Sequence, residues 1–205
     1  DSGSVYVYKY NGSTWIELDS DNPLLDGKGA SDRFGNSVSL SSDGTILAVG
    51  AYNTGTDSGS VYVYKYNGST WIEFPNSGNE FDAESANNKF GWSVSLSSDG
   101  TILAVGASVA DFNNKTNSGS VYIYQYNGSA WSLLDNRLDG ENAEDNFGNS
   151  VNLSSDGTIL AVGAVIDNYS HPAVVEGYAK VYSLSQNSLH ATENLRITGS
   201  IKYLN

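Results

Sequence analysis

The sequence of 205 residues contains no cysteine, no methionine and only 3 prolines. Without cysteine there is no disulfide framework and no thiolate chemistry, so stability has to come from a hydrophobic core. Without methionine the chain has no translation start of its own, which favours a processed or partial product. No apolar run approaches the ~20 residues that a membrane-spanning helix needs. We therefore expect no membrane span.

Basic residues are also scarce, with 10 Lys and Arg against 23 Asp and Glu and a formal net charge of −13. Such a surface repels nucleic acid and anionic membranes, and it attracts cations. The sequence has no phosphate-binding loop, no His-Glu-x-x-His motif and no Gly-x-Ser-x-Gly motif. We therefore expect a protein that is not an enzyme and does not bind nucleic acid.

Glycine (22) and tyrosine (14) are abundant, and they belong to an internal repeat. The hexapeptide Gly-Ser-Val-Tyr-Val-Tyr begins at Gly3 and Gly59, and recurs at Gly119 with Ile123 for the second valine. The segment from Phe34 to Ala51 recurs from Phe90 and from Phe147 with one or two changes. Corresponding residues lie 56 to 60 positions apart. A period of this size indicates a supersecondary unit that must stack on its neighbours to bury its apolar faces.

Within one unit the pattern predicts four antiparallel strands. The first stretch alternates polar and apolar residues, and the second is a continuous run of small apolar residues. The third alternates aliphatic residues and tyrosine, and the fourth is short and carries tryptophan. Asp99-Gly100 and Asn127-Gly128 are signals of tight turns between them. In the second unit these strands are 93–97, 102–107, 119–126 and 131–134. A four-stranded unit that repeats radially is the blade of a β-propeller, so the predicted fold is an all-β, propeller-type array of antiparallel blades.

The chain is predicted to hold about three and a half blades within residues 1–185. It begins with the third and fourth strands of an incomplete blade, at 5–10 and 15–18, and two complete blades follow at 34–74 and 90–134. Another begins at Phe147 and reaches a degenerate tyrosine strand at 179–183. Residues 186–205 form a strand-like tail. Because an unpaired strand edge readily pairs with another strand, we expect this tail to complete a blade, either in the same chain or in another copy.

These repeats resemble the FG-GAP family, which includes the propeller blades of integrin α-subunits. The resemblance rests on Phe-Gly at 34–35, 90–91 and 147–148, each followed by Val-Gly-Ala and then by the Gly-Ser-Val-Tyr strand. It implies a β-propeller and an extracellular or cell-surface setting in adhesion or binding. Integrin-type blades carry a calcium loop of Asp-x-Asp-x-Asp-Gly form, whereas this chain has Ser-Ser-Asp-Gly-Thr there. With one carboxylate in place of three, this turn is not expected to bind Ca²⁺.

A second acidic pattern precedes each Phe-Gly and gives the candidate metal ligands. In each case two residues stand six positions apart: Asp26 and Asp32, Asp82 and Asn88, and Asp139 and Asp145. Together with backbone carbonyls they could hold Ca²⁺, which is the only cofactor that the sequence suggests. The alternative is that they cap turns through their own backbone, which the low density of ligands favours.

Asparagine sequons suggest glycosylation if the protein is secreted. Asn11, Asn67 and Asn127 occupy predicted hairpin tips, whereas Asn114 and Asn168 lie in predicted loops. The tyrosines of the repeated hexapeptide and the tryptophans at 15, 71 and 131 are predicted to pack between blades rather than to stack on sugars. Trp92 stands where the other units have asparagine and is the one aromatic residue that breaks the pattern.

Two functions remain open on this basis. The first is a non-enzymatic extracellular structural or adhesive protein that self-assembles into a fibre or an oligomer through blade and strand completion. The second is a monomeric propeller that binds a glycan or a protein ligand with Ca²⁺-assisted loops. In the second case the variable segments at 107–118 and 164–178 would determine specificity.

Overall fold

The computed structural model of the chain describes residues 2–19, 25–54, 58–74, 80–82, 87–134, 137–165, 177–185 and 188–196. Within these ranges the regular structure consists of antiparallel β-strands in four sheets, without an α-helix. The all-β prediction is therefore confirmed.

The four sheets follow one another along the chain. The half sheet contains β1 (Tyr8–Tyr10) and β2 (Trp15–Glu17). The first sheet contains β3 (Phe34–Leu40), β4 (Ile46–Ala51), β5 (Ser60–Tyr66), β6 (Trp71–Glu73) and β7 (Glu80–Asp82). The second sheet contains β8 (Phe90–Leu96), β9 (Ile102–Ala107), β10 (Ser120–Tyr126), β11 (Trp131–Leu133) and β12 (Leu138–Asp139). The third sheet contains β13 (Phe147–Leu153), β14 (Ile159–Ala164), β15 (Tyr178–Ser185) and β16 (Ser188–Arg196).

The short strands β7 and β12 were not predicted from the sequence. In the first sheet, β6 pairs with the end of β5 while β7 pairs with its beginning, at Ser60↔Asp82 and Val61↔Phe81. In the second sheet β12 pairs with the beginning of β10 in the same way. The outer edge of each sheet is thus divided between two short strands. The recurring apolar-Asp dipeptide was the available signal for the second one.

The C-terminal tail supplies β16, which pairs with β15 of the same chain from Tyr178↔Arg196 to Ser185↔Ser188. This strand occupies the fourth position of the third sheet. Residues 197–205 lie outside the described part of the chain. The division of the chain into blades up to residue 185 and a tail from 186 stays a prediction.

The Phe-Gly motif forms a bulge at the start of the first strand of each complete sheet. Phe34 pairs with Ala51, but the next paired residue is Ser37, which lies opposite Gly50. Gly35 has a φ of 85° at this point, and Gly91 and Gly148 have φ values of 84° and 89°. A residue with a side chain rarely adopts such a φ, so the motif requires glycine.

Adjacent sheets stack face to face and are joined by a repeated set of hydrogen bonds. The Ser37 hydroxyl donates to the Gly91 carbonyl at 2.8 Å, and Ser93 donates to Gly148 at 2.8 Å. In the following turns, each Ser-Ser-Asp-Gly segment donates a backbone N–H to the next one at 2.8 Å, from residue 42 to 98 and from 98 to 155. Because the same bonds form twice, the two junctions between complete sheets have the same polar chemistry.

Apolar residues fill the space between the sheets. One cluster joins the first and second sheets around Phe90 and Leu103, and a second joins the second and third sheets around Phe147 and Leu160. A third, around Phe34 and Tyr64, joins the half sheet to the first sheet. The continuously apolar strands β4 and β9 are buried along their whole length. The core of the molecule is therefore made by the stacking of sheets, as the period of the repeat predicts.

Candidate functional site

The turn that corresponds to the integrin-type calcium loop is closed by its own side chains. In the first sheet the Ser41 hydroxyl donates to Asp43 Oδ1 at 2.7 Å, and the Thr45 N–H donates to the same oxygen at 2.9 Å. Ser41 Oγ in turn accepts the Ile46 N–H at 2.9 Å. These bonds, led by that of the serine hydroxyl, lower the pKa of Asp43, and the equivalent bonds lower the pKa of Asp156 to about 2. The Asp43 carboxylate therefore acts as the hydrogen-bond acceptor that closes its own turn.

The predicted acidic pairs divide into two positions that fix different parts of the backbone. At the first position, Asp82 and Asp139 each accept a hydroxyl hydrogen bond from the third strand, from Ser60 at 2.7 Å and from Ser120 at 2.6 Å. Asp26, the corresponding residue near the half sheet, forms an isolated β-bridge with Ser4. This position attaches the outer edge of a sheet to its third strand.

At the second position the carboxylates close the loop that precedes Phe-Gly. Asp32 is buried and accepts the Gly29 N–H at 2.6 Å, and Asp145 accepts the Asn142 N–H at 2.8 Å. Asp145 also accepts the Tyr178 hydroxyl at 2.8 Å. Burial, together with this bond to a carboxylate, raises the pKa of Tyr178 well above its usual value. Asn88 takes the same position in the second sheet without a carboxylate.

Among the residues that the structure describes, no group of three or more His, Cys, Asp or Glu side chains is arranged to hold a metal ion. Each candidate pair offers one or two carboxylates, and those of Asp32, Asp82, Asp139 and Asp145 accept hydroxyl or N–H hydrogen bonds. This supplies fewer ligands than the six to eight oxygens that Ca²⁺ takes. The capping alternative fits the loop N–H bonds of Asp32 and Asp145, whereas Asp82 and Asp139 accept serine hydroxyls of the third strand. Ca²⁺ binding by the six candidate residues stays a prediction.

The sequon asparagines at 11, 67 and 127 lie at hairpin tips. Asn11 Oδ1 accepts the N–H groups of residues 13 and 14, both at 2.9 Å, and Asn67 and Asn127 repeat this arrangement. These bonds use the side-chain oxygen, whereas N-glycosylation modifies the side-chain nitrogen, so the two roles are compatible. Asn114 lies in an exposed loop with a φ of 60°, and Asn168 lies outside the described residues.

Trp92 forms a mixed cluster with two further residues that are specific to one repeat. Its ring centroid lies 4.7 Å from that of Tyr52, and Lys89 Nζ lies 5.3 Å from the Trp92 ring. All three side chains are partly buried. The cluster bridges the first and second sheets, so the break in the pattern at Trp92 is accounted for by packing.

The half sheet presents an open apolar face, where the prediction of buried aromatic residues is wrong. Tyr8 is 50% exposed and Trp15 66%, whereas the equivalent Trp71 of the first sheet is fully buried. Tyr6 and Tyr10 are exposed as well. The reason is that these side chains point away from the first sheet, toward the place where a preceding sheet would lie. We refer to the side chains of Tyr6, Tyr8, Tyr10 and Trp15 as the leading face.

The third sheet presents the opposite open face. Ile159 is 40% exposed, whereas the equivalent Ile46 is 6% exposed because the turn at Gly100 of the next sheet packs on it. Gly163 and the Ser150 hydroxyl repeat the arrangement of Gly50 and Ser37, but no neighbouring carbonyl lies against them among the described residues. We refer to Ser150, Ile159, Ala161 and Gly163 as the trailing face.

The described residues include no helix with the length and apolar character needed to cross a bilayer.

Comparison with known proteins identifies the repeats. The profile described as FG-GAP repeat matches residues 26–64 and 82–124, which include the first two strands and most of the third strand of the first and second sheets. The chain therefore carries repeats of the FG-GAP family, as the Phe-Gly motifs indicated. Repeats of this family are typical of propeller-type binding or adhesion domains in extracellular or surface proteins. No curated protein sequence matches the chain.

Solved structures that resemble the chain have β-propeller-like folds. A candidate 6-phosphogluconolactonase from Bacteroides uniformis superposes with a TM-score of 0.55 at 11% identity, over 96% of this chain and 51% of that one. Sqt1 from Saccharomyces cerevisiae matches with a TM-score of 0.49 at 11% identity, over 82% and 36% of the two chains. Hydrazine synthase from Kuenenia stuttgartiensis has a TM-score of 0.49 at 16% identity, over 78% and 36%. The chain thus spans about half the length of the first of these proteins and less of the other two. The likeness to the first shows the fold alone.

Proposed function

We propose that this protein is a non-enzymatic, extracellular binding or adhesion protein whose copies associate head to tail through their open sheet faces. The FG-GAP repeats support the class and the extracellular setting, because they are typical of such proteins. The non-enzymatic role is supported by the repetition itself. The first two strands of the three complete sheets carry nearly the same residues, and many of these residues serve the stacking of the sheets.

The observation that carries the proposal is the contrast between equivalent residues in covered and open positions. Trp71 is fully buried against the half sheet, while Trp15 is 66% exposed on the leading face. The equivalent isoleucines show the same contrast, since Ile46 of the first sheet is 6% exposed and Ile159 of the trailing face is 40% exposed. Exposed apolar patches of this kind mark interaction sites on soluble proteins.

The two faces are of complementary kinds. Within the chain, small residues and a serine hydroxyl on one sheet meet aromatic side chains and a glycine carbonyl on the next sheet. The trailing face carries the first set and the leading face carries the aromatic part of the second. Because each copy has one of each, the contact is heterologous, and repeated contacts produce a ring or a filament.

The pairing of β16 with β15 changes which part of the chain would mediate association. β16 fills the fourth position of its own sheet, so the proposal rests on the two open faces and not on a strand exchanged between copies. A lysine introduced on either face would place a charge in the apolar contact, which is costly to bury without a partner.

The test measures molar mass by light scattering as a function of concentration. The wild-type chain is expected to form species larger than the monomer, while Tyr8→Lys and Ile159→Lys each remain monomeric. Mixing these two variants should give dimers and nothing larger, because each retains one intact face. Leu133→Lys is the control, since Leu133 is a similarly exposed residue on the outer strand β11. A wild-type chain that stays monomeric, or variants that assemble as the wild type does, would contradict the proposal.

A further inference from the structure

The second sheet contains a polar cavity. Its volume is about 320 Å³, within the range of small-molecule sites. It lies beside the loop between β9 and β10 and the segments that precede β8 and β12. The residues that line it are Asn87, Asn88, Val109, Asp111, Thr116, Asn117 and Arg137.

The outer wall of the cavity is a loop that is longer in this unit than in the first unit. Twelve positions separate Ala107 from Gly119, against eight between the equivalent Ala51 and Gly59. The longer loop folds back on itself, with the Lys115 N–H donating to the Phe112 carbonyl at 2.9 Å. The Asn117 N–H donates to Asp111 Oδ1 at 2.8 Å. These bonds hold the polar side chains of the wall in place.

Arg137 contributes a fixed guanidinium group. It stands where the first sheet has Glu80, immediately before the short strand β12. Its Nε donates to Asp139 Oδ1 at 2.9 Å, and its guanidinium lies 4.8 Å from the centre of the Phe112 ring. Asp139 is itself fixed by the Ser120 hydroxyl. The arginine is therefore oriented before any ligand binds, which lowers the entropic cost of binding.

Asn88 changes the chemistry of a position that carries a carboxylate in the other two units. It is 9% exposed and lines the cavity. Asp32 and Asp145 accept a loop N–H here, and the corresponding N–H in this unit belongs to residue 85, outside the described residues. An amide can accept the same bond and still offer two N–H donors that a carboxylate lacks. The substitution thus adds donors to the cavity.

We propose that this cavity binds a neutral saccharide, as a free monosaccharide or as the terminal unit of a glycan. Its lining combines amide, hydroxyl and guanidinium donors with amide, hydroxyl and carboxylate acceptors. Sugar hydroxyls donate and accept at the same time, so this mixture matches them. The negative charge of Asp111 disfavours binding of a phosphate or carboxylate ligand, and the positive charge of Arg137 disfavours binding of a cation. Three features that the first unit lacks, namely the longer loop, Arg137 and Asn88, meet at this one place.

The inference goes beyond the proposed head-to-tail association and does not depend on it. Binding is therefore measured on the Ile159→Lys variant of the full chain, which carries an unchanged cavity and is expected to be monomeric. The probes are glucose, galactose, mannose, fucose and N-acetylglucosamine, each titrated by calorimetry and by ligand-observed NMR. Sialic acid and inorganic phosphate are titrated in parallel as anionic probes.

At least one neutral sugar is expected to bind. In the same background Asn88→Asp, which restores the residue type of the other units, and Thr116→Val, on the exposed loop, should each weaken its affinity about three- to tenfold, the effect of one lost hydrogen bond. The control Asn149→Asp makes the same chemical change outside the cavity and should leave the affinity unchanged. Failure of all neutral sugars to bind, binding of the anionic probes alone, or equal affinities in all variants would overturn the proposal. Thermal melts of each variant separate loss of binding from loss of folding.

Discussion

Gly106 provides a direct test of how closely the sheets approach one another. It lies in β9, where a Cβ atom would overlap the Gly148 carbonyl oxygen and stand 3.0 Å from the carbonyl carbon. It would also overlap the Ser93 hydroxyl, which donates to that same carbonyl. Gly106→Ala therefore requires the second and third sheets to separate or to shift.

The third sheet offers a matched control in Gly163, the equivalent residue of β14. A Cβ atom there would meet the Ser150 hydroxyl, as at Gly106, but its next neighbours are other atoms of Ser150 at 3.7 and 3.9 Å. Those are ordinary contacts, and a serine hydroxyl can rotate. The two substitutions thus share the contact within the sheet and differ in the backbone of the neighbouring sheet.

The expected magnitude follows from two contributions. Overpacking a well-filled interface costs about 1–3 kcal/mol, and loss of the Ser93 hydrogen bond adds about 0.5–1.5 kcal/mol. Gly106→Ala should therefore lower the free energy of unfolding by about 1.5–4.5 kcal/mol, which lowers Tm by about 3–18 °C for a chain of this length. Gly163→Ala should change Tm little or raise it slightly.

The assay is thermal unfolding followed by circular dichroism, at a protein concentration low enough for the chain to be monomeric. Equal losses of stability in Gly106→Ala and Gly163→Ala would refute the reasoning, because the backbone of the next sheet could not then be the cause. No loss in either variant would do the same, since it would mean that the sheets are further apart than described.

Two further predictions concern burial and charge. Trp71→Ala should lower the free energy of unfolding by about 3–5 kcal/mol because Trp71 is fully buried. Trp15→Ala should lower it by less than about 1 kcal/mol. Equal effects of the two substitutions in urea titrations would contradict the burial pattern. Because the folded-state pKa values of Asp43 and Asp156 are lowered, to about 2 for Asp156, their contribution to stability is present above pH ~4 and lost as the pH falls toward ~2. Asp43→Asn should therefore lower Tm at pH 7 and flatten its decline between pH 4 and pH 2. Tm curves that run parallel over that range would argue against a role of the lowered pKa.

Much of the strand pattern could be predicted from the sequence because most strands have a local signal, namely alternating or continuous apolar residues bounded by a turn motif. Ile102–Ala107 is a strand with the predicted bounds, and Asp99-Gly100 forms the turn before it. Repetition strengthens such signals, since a pattern that occurs three times at a constant period is unlikely to arise by chance. The strands β7 and β12 escaped prediction because two or three residues carry no periodicity.

Exposure could not be predicted from the same pattern, because it depends on neighbours that the local sequence does not specify. Trp15 and Trp71 occupy equivalent positions and have opposite environments. The cavity beside Arg137 was also beyond the sequence, although the variable segment at 107–118 was proposed to carry specificity. Its other walls come from residues 87–88 and 137, which the pairing of β8 with β9 and of β12 with β10 brings beside that loop.

The serine-to-carbonyl bonds between sheets have a consequence for how such a chain can change in length. The hydrogen bonds from Ser37 to Gly91 and from Ser93 to Gly148 join successive sheets in the same way. A sheet that carries the serine at one junction could therefore pair with the sheet that carries the glycine carbonyl at the other. A gene that gained or lost one whole repeat would keep these serine-to-carbonyl bonds at every remaining junction between complete sheets. Growth and shrinkage by units of about 57 residues therefore need no invention of new contacts.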